Sequence, residues 1–153
     1  MEDAAKRERY ARILEQLRGL FGRSRDPVAR MATAAALLHA KMPGFLWTGW
    51  YLLRDGELTV GPYQGPLACL TLRAHTGVCW AGIDRGESVV VPDVHAFPGH
   101  IACDSRSRSE IVVPLLDRDG VVVGVLDVDS GHPAHFDSVD RDGLEPIVAL
   151  VYG

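Results

Sequence analysis

No part of this chain is apolar for the roughly 20 residues that a membrane-spanning helix requires, although 47% of its 153 residues are hydrophobic. The opening run, Met1-Glu2-Asp3-Ala4-Ala5-Lys6-Arg7-Glu8-Arg9, lacks the apolar centre of a secretory leader. Both absences predict a cytoplasmic protein with no membrane partner. Excess positive charge is missing too, since 16 Lys and Arg face 20 Asp and Glu for a net charge of −4. The basic residues are scattered or gathered in the first forty positions without interleaved aromatics, which argues against nucleic acid. Cysteine is scarce and odd in number, at three. An odd count in a reducing compartment argues against a static disulfide framework and leaves the residues as thiols unless one of them turns over chemically. Internal repeats and low-complexity segments are absent as well. What remains is a chain of a size that buries one ordinary core, expected to be a single domain over residues 1–153.

The first 44 residues read as two helices. Tyr10, Ile13, Leu14, Leu17, Leu20 and Phe21 repeat at helical spacing until Gly22. Asp26 then caps a second helix with Pro27 at its first position, and Val28, Met31, Ala32, Ala35 and Leu38 form its stripe as far as Pro43-Gly44. From Phe45 the period becomes that of strands. Residues 46–53 and 58–60 form a hairpin around Asp55-Gly56. A short strand at 69–72, a short helix at 77–84 closed near Gly86, and a strand at 89–91 follow. Residues 92–108 form a long polar loop, a length that in a compact domain points to function. Residues 111–116 and 121–129 make a second hairpin around Asp119-Gly120. Residues 138–152 are helical in pattern, with Gly143 and Pro146 expected to bend or delay the helix. Helices at both ends of antiparallel strands define an α+β architecture.

Chemistry concentrates in and beside the long loop. Cys103 lies there in Asp93-Val94-His95-Ala96-Phe97-Pro98-Gly99-His100-Ile101-Ala102-Cys103-Asp104, a polar setting without core periodicity. It is the candidate nucleophile, with Cys69 and Cys79 as candidate partners, although Cys79 also suits a buried helix position. Asp127 and Asp129 sit two apart at the end of an apolar strand, so both leave one face. Like charges this close oppose joint ionisation, so one holds a proton near neutral pH or both surround a cation. Glu110 opens the paired strand at the same end and brings a third carboxylate. The plainer alternative is a solvated strand end bridged to Arg106 or Arg108. Zinc held by His95, His100 and Cys103 is a weaker reading, because the spacing matches no common site. Trp47, Trp50 and Tyr51 are core residues of a half-buried strand by default, with a pocket-facing aromatic as the alternative.

The order and spacing of Gly61-Pro62-Tyr63-Gln64-Gly65, Ala68-Cys69, Gly77-Val78-Cys79, the Cys103 segment, Ser109-Glu110-Ile111-Val112-Val113-Pro114-Leu115 and Gly124-Val125-Leu126-Asp127-Val128-Asp129-Ser130 resemble the free methionine-(R)-sulfoxide reductases, a GAF-domain family. The resemblance spans residues 45–150. It implies a GAF-like fold: a central antiparallel sheet with the terminal helices on one face and a loop-covered pocket on the other. It implies that Cys103 attacks the sulfoxide sulfur and becomes a sulfenic acid. Cys69 would be the main resolving thiol and Cys79 an alternative. Glu110, Asp127 and Asp129 would surround the substrate, protonating the sulfoxide oxygen and holding the ammonium of a free amino acid. Trp47 and Tyr51 would lie near the methyl end. A thioredoxin-like donor would close the cycle, with no metal or organic cofactor, and the terminal helices would support a homodimer.

This chain departs from the family pattern at Leu46 and Arg108, where Asn is usual, at His75-Thr76-Gly77 in place of Gly-Arg-Gly, and at Trp80 in place of Gly. Trp80 is expected to add bulk beside Cys79. Two competing functions remain at this point: a GAF sensor that binds a small ligand without chemistry, and a zinc-stabilised interaction domain.

Overall fold

The computed structural model describes residues 1–100 and 103–153. Ile101 and Ala102, part of the loop motif, lie outside the described residues. Two helices open the chain, α1 (Asp3–Phe21) and α2 (Pro27–Lys41), followed by β1 (Trp47–Arg54), β2 (Glu57–Gln64) and β3 (Thr71–Leu72). Then come α3 (Gly77–Arg85), β4 (Val89–Val91), β5 (Ser109–Leu116), β6 (Val122–Ser130) and α4 (Ser138–Ala149). The strands form one sheet in the order β3-β2-β1-β6-β5-β4, and every neighbouring pair is antiparallel.

Period-two alternation splits the hydrophobic side chains between the two faces of this sheet. On one face Trp50, Leu52, Ile111, Val113, Leu126 and Val128 meet the buried stripes of α1, α2 and α4. On the other, Trp47, Tyr51, Val112 and Val125 pack with Val78, Cys79 and Trp80 of α3. The helix-covered face therefore carries most of the core, and the α3 face is left to form a site.

The helix stripes follow the expected period with a rotation in α2. Val28 is exposed and Ala32 faces solvent, while Met31, Ala34, Ala35 and Leu38 point inward. Leu20 of α1 is likewise exposed. A signal invisible to hydrophobic periodicity sets the α2 rotation. Arg30 is buried and donates to the carbonyls of Phe21, Ser24, Leu150, Val151 and Gly153, at 2.7–3.2 Å. One guanidinium thus ties together the C-terminal ends of α1 and α4, whose last carbonyls have no partner within their own helix.

Gly143 and Pro146 do not delay or end α4, which begins at Ser138 and is continuous through both to Ala149. Gly143 lies against the Tyr10 ring, and a Cβ there would collide with it. Glycine is therefore retained for close approach of α1 and α4. Asp137 and Asp140 form a capping box at the start of α4. Asp140 also accepts from the Tyr10 hydroxyl at 2.6 Å and the Lys6 ammonium at 2.8 Å.

The expected strand at 69–72 shortens to Thr71–Leu72, and Cys69 lies in the preceding connection. Gly65, at φ 117°, turns the chain away from the sheet edge there. The long loop is pinned at both ends. Val94 N–H donates to the Arg108 carbonyl at 2.9 Å, and Arg108 N–H to the Ser130 carbonyl at 2.8 Å. A 3₁₀ turn at Val94–Ala96 is capped by the Asp93 side chain. Among the described residues, no helix is long and apolar enough to cross a membrane.

Candidate active site

The floor of the site is a grid of three strands. In register, Trp47 of β1 lies beside Asp129 of β6, and Asp129 beside Glu110 of β5. One step along, Gly49, Asp127 and Val112 form the next row on the same face. The hairpin around Asp119-Gly120 therefore gathers the three carboxyl groups as its register requires. Gly49 makes room for the aromatic wall, since a Cβ there would come within 2.7 Å of the Trp47 ring. Trp47 stacks between Tyr51, at a ring separation of 5.7 Å, and Tyr63, at 5.2 Å.

Around that floor, Leu46, Thr76, Gly77, Val78, Cys79, His100, Cys103 and Ser107 complete a pocket with Trp47, Tyr51, Glu110, Asp127 and Asp129. All the candidate site residues border it except Cys69, which is joined to Cys103 by a disulfide. Trp47 and Tyr51 are buried and line the pocket as well, so the core and pocket readings hold together. Trp80 turns away from the pocket. Its ring packs 4.6 Å from that of His75 and its Nε1–H donates to the Leu72 carbonyl. The bulk expected beside the Cys79 thiol is buried in the same core cluster as Cys79 and does not border the pocket. Of the departures from the family pattern, Leu46 and Thr76 reach the pocket wall.

The solvated strand end with an arginine bridge is not what the structure contains. Glu110 and Asp127 are each only 5% exposed. Arg106 is engaged with Asp104, at 2.8 and 3.0 Å, and holds that carboxyl below the usual range. Arg108 points to His95, with Nη1 and Nε2 3.4 Å apart. No cationic side chain among the described residues forms an ion pair with Glu110, Asp127 or Asp129.

Burial without a cation favours the neutral form of an acid. Burial, and then the negative charges of Asp127 and Asp129, push the Glu110 carboxyl well above its ordinary 4.5. Burial and then Asp127 raise Asp129 well above its ordinary 3.8, partly offset by Ser107, whose hydroxyl donates to Asp129 Oδ1 at 3.4 Å. Asp127 is also raised by burial, but hydrogen bonds from Glu110 and Cys79 oppose the shift. The cluster is thus organised as a reservoir of protons around one carboxylate that accepts them. Such an arrangement can donate a proton to a developing oxyanion and hold a cationic group at the same time.

The thiols divide into two kinds. The exposed Cys103 comes from the loop before β5, and the half-buried Cys69 from the connection between β2 and β3; their Cα atoms are 5.5 Å apart. Cys79 is buried in α3, with Sγ 4.0 Å from Glu110 Oε2. Burial first, then the Asp127 and Glu110 charges, push its thiol well above the ordinary value. A thiol so disposed is a poor nucleophile.

Zinc on His95, His100 and Cys103 finds no support here. Cys103 is in the disulfide, and the two imidazoles are edge to face with centroids 6.3 Å apart. Among the described residues, the group of side chains close enough for a shared cation is Cys79, Glu110 and Asp127, with donor atoms within 4.8 Å of one another.

Three buried polar atoms have no hydrogen-bond partner among the described residues: Trp47 Nε1, His100 Nε2 and Asp127 Oδ1. Each such atom costs about 1–3 kcal/mol if left unmatched, and all three residues border one pocket. A ligand with both donor and acceptor groups would satisfy them. Sequence reasoning missed Ser107, Gly49 and Tyr63 as site residues. Only Tyr63 carried a signal, within Gly61-Pro62-Tyr63-Gln64-Gly65.

Six antiparallel strands with terminal helices on one face, and on the other a pocket partly lined by residues of the segment before β5, define a GAF domain carrying a thiol and carboxyl site. The GAF domain family matches residues 23–151. The free methionine-R-sulfoxide reductase of Escherichia coli is 39% identical over 94% of this chain and 87% of its own length. The enzyme of the same name from Saccharomyces cerevisiae is 38% identical over 91% and 83%. The X-ray structure of free methionine-R-sulfoxide reductase from Neisseria meningitidis in complex with its substrate superimposes with a TM-score of 0.88, at 43% identity, covering 94% of this chain and 86% of that one. The chain belongs to the free methionine-R-sulfoxide reductase family of GAF-domain proteins.

Proposed function

We propose that this protein reduces free L-methionine-(R)-sulfoxide to L-methionine by thiol and disulfide chemistry. The observation that carries the reading is the Cys69–Cys103 disulfide at the rim of a pocket floored by buried carboxyl groups. A sensor has no use for a redox pair whose exposed member, Cys103, borders such a cluster.

In the proposed cycle the reduced Cys103 attacks the sulfoxide sulfur as a thiolate. Glu110 or Asp129, held toward its neutral form, gives a proton to the oxygen. Oxygen passes to Cys103 as methionine leaves, and Cys103 becomes a sulfenic acid. Cys69 then attacks that sulfur, water departs, and the disulfide forms. Asp127, the carboxyl whose neighbours donate to it, holds the substrate ammonium, while Trp47 and Tyr51 enclose the methyl end. Cys79 stays a buried thiol and serves as a secondary partner. A thioredoxin-like dithiol restores the two thiols, and no metal or organic cofactor takes part.

Residues 1–153 act as one GAF-like unit in the cytoplasm, with 1–44 supplying the first two helices. Leu20 and Val28, exposed on α1 and α2, lie on the helical surface through which a homodimer would pair. The test is loss of free methionine-(R)-sulfoxide with dithiothreitol, measured beside the S epimer and a peptide-bound substrate. Only the free R form should turn over well. Equal turnover of all three, or none of the first, would overturn the reading.

A further inference from the structure

The disulfide lies beside an apolar surface patch that runs outward from the pocket: Leu67 reaches the pocket rim and Leu70 lies beyond it. Leu67 and Leu70 bracket Cys69 and are 86% and 75% exposed, the two most exposed large hydrophobic side chains in the described structure. Residues 58–72 carry no charged side chain. The patch is also held in shape. The Cys69 carbonyl accepts from the Tyr51 hydroxyl at 2.9 Å, and the Leu70 carbonyl from the Val60 N–H at 2.9 Å. Beyond it the chain enters β3, the edge strand of the sheet, so a large partner can approach from that side.

An uncharged, apolar segment fixed on the Cys69 side of a disulfide fits a protein that must bring its own thiol to that sulfur. Leu70, exposed and outside the pocket, gains apolar burial only on association, and Leu67 continues the same surface from the pocket rim. The disulfide supplies the second requirement, because its turnover consumes two electrons that no group in this chain provides. Cys103 faces the pocket, whereas Cys69 is the half of the pair embedded in the apolar segment.

Resting on the reductase reading above, we infer that Leu67 and Leu70 form the docking surface for a dithiol protein reductant, which attacks Cys69 rather than Cys103. The incoming thiolate forms a bond to Cys69 Sγ in line with the disulfide, and the Cys69–Cys103 bond breaks. Cys103 leaves as a thiolate, already facing the substrate pocket. The second thiol of the reductant then loses its proton and attacks the mixed disulfide, releasing Cys69 as a thiolate that takes up a proton. The reductant ends as a disulfide, and both cysteines end reduced by its two electrons.

The experiment compares thioredoxin, kept reduced by its NADPH-dependent reductase, with dithiothreitol as donor to the full chain. Leu70, which does not border the pocket, is replaced in Leu70→Asp and Leu70→Ala. Leu70→Asp should raise the KM for thioredoxin about tenfold or more, and Leu70→Ala less, with dithiothreitol-driven turnover unchanged in both. An unaltered KM for thioredoxin would overturn the docking surface, and so would a parallel loss with both donors. A thioredoxin lacking its second cysteine should be trapped on Cys69 by mass mapping, and trapping on Cys103 would overturn the order of attack. Failure of wild-type protein to consume free methionine-(R)-sulfoxide even with dithiothreitol would instead count against the reductase reading itself.

Discussion

Glu110 and Asp129 are directly paired across β5 and β6, so two acids held toward their neutral forms share one spot on the sheet with no cation between them. Such a pair is costly for folding and useful for proton transfer. Glu110→Gln, Asp127→Asn and Asp129→Asn should each lower catalysis without unfolding the domain. The proton donor should lose about two to four orders of magnitude in kcat, while the ammonium partner should lose mainly through KM. Steady-state kinetics on the three variants checks this, and near wild-type constants in all three would remove the cluster from the mechanism.

The same burial predicts a pH dependence of stability. Glu110 in the folded protein titrates above its ordinary 4.5. The unfolded chain therefore releases this proton first, so stability is fully present below about that pH and declines as pH rises toward the folded value. Urea midpoints measured from pH 4 upward should fall for wild type and fall less steeply for Glu110→Gln. A variant more stable than wild type at neutral pH yet poorer in turnover is the expected signature.

Cys103→Ser should abolish turnover with any reductant, because a serine hydroxyl is almost un-ionised near neutral pH. Cys69→Ser should release about one methionine per enzyme in a single turnover and fail to cycle with thioredoxin. Cys79→Ser should be milder, since its thiol is buried and shifted away from ionisation. Quenched-flow measurement of methionine separates these outcomes. Loss of cycling in Cys79→Ser with retention in Cys69→Ser would exchange their roles.

Trp47→Phe keeps an aromatic ring between Tyr51 and Tyr63 but removes the buried Nε1–H, which has no partner among the described residues. If that donor serves the substrate, kcat/KM should fall up to about tenfold, the worth of one hydrogen bond. The urea midpoint should stay near wild type. An unchanged kcat/KM would leave the tryptophan a wall and nothing more.

Local rules carried much of this protein. The Asp26-Pro27 start of α2, the Asp55-Gly56 and Asp119-Gly120 hairpins and the Gly86 cap are short-range chemistry and appear where the residues demand them. The convergence of Glu110 with Asp129 was legible for the same reason, because a hairpin turn and a two-residue period fix register. Long-range packing was not legible. The rotation of α2 depends on Arg30 reaching carbonyls at the C-terminal ends of α1 and α4, and the close packing of α4 on α1 depends on Gly143 resting against Tyr10 from the other end of the chain. Residue order likewise gave Cys69 and Cys79 as competing partners for Cys103. Tertiary structure separated them by burying Cys79 in α3 among carboxyl groups and joining Cys103 to the half-buried Cys69 of the β2–β3 connection. Sequence sets which groups are available and their spacing along a strand, whereas burial and the approach of distant segments, which only the folded chain possesses, decide the charge each group carries and the partner it meets.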